Sequence, residues 1–381
     1  MSPTLPRTLK NLIAVTLLVT IALTPALWFS QGSFPVVPAS SWIPPVLFPI
    51  LGFLIMLGAL LTLIEKNPSR LPLVISLILV AAALCNILRA LPFYYMYALM
   101  LFALGAGVRR GQLAHVPNVF RLMLVSTYIW SGLLKINRSF VRDGFLYIAD
   151  PLLQVLPDSV HWVFAILAVL VPFLEILFGI GLLFSKTERG CAWGLIAMHL
   201  FILAMFGPLG RNMNSSVWPW NLCMIALLWL LFVKHREPRS IAKLWNHSFF
   251  PQTVIFVVYL ICPALNFIGC WPDYLSHSLY SYATPEAKVT LPHSLVPKLP
   301  ASAREVAADL PDDRAQVDII LWSYRDLNAP PFPAMRVYRA AAVTLCRSLE
   351  WPTDLTLEVK GKPDWRTGLS ESTTITCKEL M

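Results

Sequence analysis

Lys135 closes an apolar run, Tyr128-Ile129-Trp130-Ser131-Gly132-Leu133-Leu134-Lys135-Ile136-Asn137, that begins near Val119. A lysine at the bilayer centre costs roughly 2.5–3.5 kcal/mol on insertion scales, so an ionisable group there marks a functional site by default. At helical spacing Tyr128, Ser131 and Lys135 share a face, and Gly132 beside them admits a second helix or a flat ligand. Burial disfavours the ammonium form of any lysine, and a free amine is a base. The competing reading has Lys135 at a helix end, snorkelling to the headgroups.

Other polar groups interrupt apolar runs. Glu175 lies near the middle of Val171–Gly179, His199 lies mid-run in the seventh apolar segment, and Asn212, Asn214, Trp218, Trp220 and Asn221 cluster at the start of the eighth. A carboxylate at membrane depth must pair or take up a proton, whereas a neutral imidazole can donate or accept across helices. By depth, Lys135 and the Trp/Asn cluster fall near one surface, His199 lies about 12 Å deeper at ~1.5 Å per residue, and Glu175 lies just beyond the centre. Lys135 and His199 are therefore the candidate catalytic residues. Tyr128, Trp218, Trp220 and Asn221 are the candidate substrate-binding residues, and Glu175 is a structural polar tie between helices. The two tryptophans read equally as an interfacial aromatic belt or as walls of a ring-binding pocket. No Gly-rich phosphate loop, GxSxG, HExxH or zinc-type Cys/His spacing occurs, and no metal site is expected.

The elements that must position these groups are transmembrane helices. The chain has 381 residues, 57% hydrophobic and 13% charged. Its apolar runs of about 18–22 residues mark an all-α polytopic membrane bundle rather than a soluble globule. Nine candidate spans read as approximately 12–29, 43–64, 71–88, 92–108, 119–137, 160–184, 190–207, 217–233 and 250–270. The net charge of +9 sits in short loops between them, so it reads as a topology signal, not a nucleic-acid surface. Arg7 and Lys10, Lys66 and Arg70, Arg109 and Arg110, Lys186 and Arg189, and Lys234, Arg236, Arg239 and Lys243 fall on one side. Ser30–Trp42, the Arg89 corner, 138–159 and 208–216 fall on the other. The positive-inside rule puts the N-terminus in the cytoplasm and everything after Cys270 outside, as in a bacterial inner membrane with a periplasmic or extracellular tail. The first run follows Arg7 and Lys10 as a signal peptide would, but its length reads as an uncleaved span.

Residues 1–271 thus form the bundle and 272–381 a small exported α+β domain. Loop 138–159 is expected to be a lid or interfacial helix over the outer end of the fifth span. The tail opens as a Pro-rich extended strap through Pro285, Pro292, Pro297 and Pro300. Gln316–Tyr324 and Leu355–Lys360 read as strands, Val337–Glu350 as a helix, and Ile375–Cys377 as a closing strand. Cys346 and Cys377 in this region are a candidate disulfide. Cys85, Cys191 and Cys223 read as buried small hydrophobes. Cys262 and Cys270 stand about 12 Å apart if helical, too far to bridge.

Ser131-Gly132-Leu133-Leu134-Lys135-Ile136-Asn137, followed by Phe140 and Gly144, resembles the HTTM segment of vitamin K-dependent gamma-carboxylases. There, a Gly-x-x-Lys segment carries the lysine assigned as the base that deprotonates vitamin K hydroquinone, and Lys135 is the matching position. Phe140 stands in place of that family's tryptophan, and the tail is much smaller than the carboxylases' lumenal region. The chain is also similar to bacterial DoxX-like and MauE-like membrane proteins, which share the Gly-x-x-Lys helix and a Glu before a Gly-containing apolar helix, as in Glu175 and Gly179. Ser216–Asn221 and Pro263–Ser281 resemble uncharacterised HTTM-like proteins, so that the likeness runs over roughly 70–285, with an HTTM-like core at about 70–271. It implies a protein that binds a quinone or hydroquinone near the outer leaflet, a quinone-linked oxidoreductase or carboxylase-like enzyme with Lys135 as base. The alternative is a non-catalytic subunit or assembly factor of a membrane complex, with a protein partner on the C-terminal domain and membrane lipid around the bundle. A transporter is disfavoured by the lack of an inverted repeat or paired broken helices.

Overall fold

The computed structural model describes residues 4–29, 32–40, 43–44, 46–66, 69–235, 244 and 248–381. Arg236, Arg239 and Lys243 of the expected basic loop, and Ser30 and Trp42 at the ends of an expected outer loop, lie outside the described residues. All nine apolar runs fold as helix. They are α1 (Leu5–Leu23), α2 (Leu47–Ile64), α3 (Leu71–Cys85), α4 (Pro92–Arg109), α5 (Val116–Lys135), then, after the bent helix α6 (Phe145–Leu153), α7 (His161–Gly181), α8 (Glu188–Phe206), α9 (Val217–Leu228) and α10 (Phe250–Ile255). Helical turns carry α9 on to Lys234 and α10 on to Ile268.

Nine membrane spans do not follow from nine helices. Among the described residues six helices are long and apolar enough to cross a membrane, and a seventh arises only if α5 and the segment Phe140–Leu153, bent by 97°, count as one. The physical reasons differ. At 15 residues α3 reaches only about 22 Å, short of the ~30 Å hydrocarbon core. Helices α4 and α5 are interior: most of their residues are buried against other helices, so α4 tolerates tyrosines and α5 tolerates Arg121, Ser126 and Thr127. The outer helices show the reverse pattern. On α7 the stripe Trp162, Ile166, Val169, Phe173, Leu177 and Ile180 is exposed, an apolar face suited to lipid rather than water. Helix α1 also differs from its expected range, beginning at Leu5 and ending at Leu23, before a five-residue helix over Pro25–Phe29.

Beyond α10 the chain builds a five-stranded antiparallel sheet in the order β2-β3-β1-β4-β5. Its strands are β1 (Glu286–Pro292), β2 (Ala307–Leu310), β3 (Arg314–Asp318), β4 (Thr356–Lys360) and β5 (Ser372–Thr376), with α11 (Ile319–Leu327) and α12 (Met335–Ser348) completing the α+β domain. Two expectations are corrected. The Pro-rich strap contains the central strand, since Ala287, Val289 and Leu291 alternate inward. The strand expected over Gln316–Tyr324 stops at Asp318, whose carboxylate accepts from Ile320 N and Leu321 N at 2.8 and 3.2 Å and caps α11. From there the burial of Ile319, Trp322, Ser323 and Leu327 follows helical spacing. Cys346 and Cys377 form the expected disulfide, with Cα atoms 5.9 Å apart, and tie α12 to the end of β5.

This domain sits on one end of the bundle. Asp326 accepts from Phe34 N at 2.7 Å and Ser33 Oγ at 3.1 Å, Asn328 donates to Leu23 O at 2.8 Å, and Lys362 bonds Asn266. Gly32 passes so close to Asp326 that a Cβ there would stand 2.1 Å from its carboxylate. Described parts of the loops expected on one side meet at this end: Ile87 N donates to Val37 O at 3.0 Å, Arg138 N to Trp365 O at 3.1 Å and Ser215 N to Asn328 Oδ1 at 3.2 Å.

Candidate functional site

Antiparallel packing of α5 against α7 builds the site. A Cβ on Gly132 would lie 2.7 Å from Pro172 O and Ile176 Cγ1, and one on Gly179 would lie 3.0 Å from the Tyr128 side chain. The two glycines therefore set both the close approach and the axial offset of the helices. In that register Lys135 Nζ lies 2.7 Å from Glu175 Oε2, and it also donates to Ser131 Oγ at 2.7 Å. The lysine side chain is 13% exposed and the glutamate 3%. By depth along its helix Glu175 is expected to stand apart from Lys135. That separation is corrected: Glu175 does tie two helices, and it does so through Lys135 itself. A free snorkelling amine is likewise replaced by an ion pair.

Tyr128, two turns before Lys135, faces the same cavity and continues the polar lining. Its hydroxyl lies 2.8 Å from His199 Nε2, and His199 Nδ1 lies 2.7 Å from Asn221 Oδ1. Asn221 Nδ2 donates to Val217 O at 2.8 Å. A carbonyl only accepts, so this last bond orients the amide with its oxygen toward His199. Nδ1 then carries the imidazole proton and Nε2 accepts from the Tyr128 hydroxyl. The phenol oxygen is left with lone pairs only, an acceptor, while the Lys135 ammonium is a donor.

Both groups line one cavity of about 250 Å³. Its apolar walls come from the bend after α5 (Phe140, Phe145, Ile148), from α7 (Phe164, Leu167, Val171) and from α8 (Phe201, Ile202, Phe206), and Leu279 and Tyr280 from the start of the tail also line it. Segment 138–159 is thus the expected helix at the end of the fifth run, and it supplies a wall. Trp220 lines the cavity, and its buried Nε1 has no acceptor among the described residues. Trp218 does not line it: its Nε1 donates to Phe206 O at 3.0 Å and holds the end of α8. Its assignment as a binding residue is corrected on that ground. Tyr280 reaches the cavity with its hydroxyl bonded to Asn214.

The lining thus contains Lys135, His199, Tyr128, Trp220 and Asn221 as read from the sequence, adds Glu175, Ser131 and Tyr280, and drops Trp218. A signal for Glu175 existed: pairing Gly132 and Gly179 as antiparallel contacts brings it to Lys135. Only the resemblance over Pro263–Ser281 touched Tyr280, and it gave the residue no role, because a residue beyond the last helix has no helical face to align. Among the described residues no group of three or more His, Cys, Asp or Glu side chains could hold a metal ion. The chain matches no family model, no curated protein and no solved structure in comparisons with each.

Proposed function

We propose that this protein binds the ring of a quinone-type lipid in the α5–α7–α8 cavity and that the Lys135–Glu175 pair handles a proton of the bound ring. The observation that carries the reading is the joining of an aromatic-walled cavity to an acceptor at Tyr128 and a donor at Lys135. The size is suitable. A cavity of about 150 Å³ takes benzene, and this one is larger at about 250 Å³. Ring compounds bearing both hydroxyl and carbonyl oxygens match the two polar groups.

Within this reading, Tyr128 orients the ring, His199 and Asn221 fix the hydrogen-bond direction of Tyr128, and Phe145 and Phe164 exclude water. Lys135 acts as a base only through Glu175: its ammonium donates to that carboxylate, so a proton leaving a ring hydroxyl passes to Glu175 while Lys135 stays cationic and holds the ring oxygen. The likeness to HTTM and DoxX-like proteins belongs to the same proposal, as does an orientation with the tail outside and the cavity toward the outer leaflet.

The test is purification in mild detergent, lipid extraction and titration with short-chain benzoquinone and naphthoquinone analogues in both redox states. The reading expects a ring lipid to co-purify with the wild type and to be lost from the Lys135→Ala and Tyr128→Phe proteins. A wild-type protein with no ring lipid and no saturable analogue binding overturns it. Stable co-purifying protein partners in that case would instead mark a non-catalytic subunit with the ion pair as a tie.

A further inference from the structure

A second groove, of about 390 Å³, lies where the β4–β5 turn meets the bundle, and Arg138, Val141, Val169, Phe173, Trp365 and Arg366 are among its walls. The turn is a built platform. Asp364 Oδ1 accepts from Thr367 N at 2.8 Å, Thr367 Oγ1 at 3.0 Å and Arg366 N at 3.0 Å, and Arg138 N donates to Trp365 O at 3.1 Å. These bonds hold one oxygen of the Asp364 carboxylate in the turn, and the Asp364 charge also acts on Arg366 beside it. The Arg366 guanidinium lies 4.5 Å from the centre of the Trp365 ring. Neither Arg138 nor Arg366 forms an ion pair with a carboxylate among the described residues, while Arg142 nearby is 3.5 Å from Asp143.

The opposite wall belongs to a helix long and apolar enough to cross a membrane. Val169 and Phe173 are 46% and 52% exposed, and Leu177 and Ile180 extend the same stripe at 59% and 41%. Trp365, 57% exposed, and Leu369, 74% exposed, project from the turn above it. Two arginines that form no salt bridge among the described residues, lining a groove beside an apolar stripe, match an amphiphile with an anionic head. Arg binds phosphate oxygens in a bidentate fork, and an exposed Trp suits the headgroup layer.

We propose that this groove holds an anionic phospholipid of the surrounding bilayer, its phosphate between Arg138 and Arg366 and an acyl chain along Val169, Phe173 and Leu177. A soluble phosphate would leave the stripe unused, and a zwitterionic lipid would add no net counter-charge for Arg138, while Arg366 has only the exposed Asp364 beside it. The inference is independent of what the central cavity binds and needs only that α7 meets lipid.

The test uses the full chain in detergent with equal amounts of phosphatidylglycerol and phosphatidylcholine, read by native mass spectrometry. Two arginines near a membrane surface are expected to favour the anionic lipid roughly tenfold or more. The R138Q/R366Q double variant is expected to lose that preference, Arg142→Gln to keep it, and excess glycerol phosphate to leave the bound lipid in place. Phe173→Ser, which keeps both charges, is expected to lower retention of either lipid. Equal retention by the wild type, a preference that survives the double variant, or displacement by glycerol phosphate would each overturn the assignment.

Discussion

Lys135 and Glu175 are 40 residues apart in sequence, and each would be an isolated charge without the other. Breaking a buried pair by removing one partner costs about 3–5 kcal/mol, whereas replacing both by apolar groups is often neutral. Lys135→Met is therefore expected to lower thermal stability sharply, and Lys135→Met/Glu175→Met to recover most of it. A double variant as unstable as the single one would show that the charges are not the cause. Asn221 acts at one remove, by fixing which His199 nitrogen carries the proton. Asn221→Leu is expected to weaken binding of a hydroxyl-bearing ring by about tenfold, near the ~1–3 kcal/mol of an orphaned buried group. Because Asn221 works through His199 on Tyr128, adding Tyr128→Phe should give little further loss in a double-mutant cycle. Additive losses would separate the two residues.

At the scale of the element, the glycines of α5 and α7 decide whether those residues meet. Gly132→Val would press a branched side chain onto Pro172 O and Ile176. Overpacking of this kind costs about 1–3 kcal/mol. It should also part Lys135 from Glu175, so that the Lys135→Met penalty largely disappears in the Gly132→Val background. Acid sensitivity belongs to the elements of the tail. Hydrogen bonds from Thr367 and Arg366 hold the Asp364 carboxyl below the usual range, and bonds from Thr376 do the same for Glu379 in the cap of the last short helix. A depressed carboxyl stabilises the fold at pH above its unfolded value, and that stability is lost as pH falls through the folded value. Amide exchange in the 364–369 turn and at 376–379 is expected to speed up as the carboxyls protonate, while amides of β1 stay protected. Uniform acceleration across the sheet would refute this localisation.

Considered whole, the molecule is a helix bundle roofed at one end by its own tail. The roof is structural to the cavity, because Leu279 and Tyr280 line it and Asn137 on the bundle donates to Ser281 O at 3.0 Å. Asp326 is a main clamp. Asp326→Ala removes a charged acceptor from Phe34 N and Ser33, worth about 1.5–3 kcal/mol. Limited proteolysis between 272 and 285 should then accelerate while the bundle remains intact, and ligand retention in the cavity should fall with it. Unchanged cleavage would mean that Asn328 and Lys362 suffice to dock the tail.

Sequence alone determined what is local or compositional. Long apolar runs became helices, the tail became a small α+β domain, Cys346 and Cys377 paired, and 3.6-residue periodicity put Tyr128, Ser131 and Lys135 on one cavity-facing side of α5. Tertiary structure decided whatever depends on the offset between elements. Helical periodicity gives the direction of a side chain but not its height against a neighbour, so Glu175 met Lys135 only through the close contacts of Gly132 and Gly179. Where each helix ends likewise decided that six or seven of the nine apolar runs are long and apolar enough to cross a membrane, α3 stopping after 15 residues and α5 bending by 97° into the next segment. Trp218 and Trp220, two positions apart on one helix, point in different directions, and only the placement of α8 decided that Trp220 lines the cavity and Trp218 clasps Phe206.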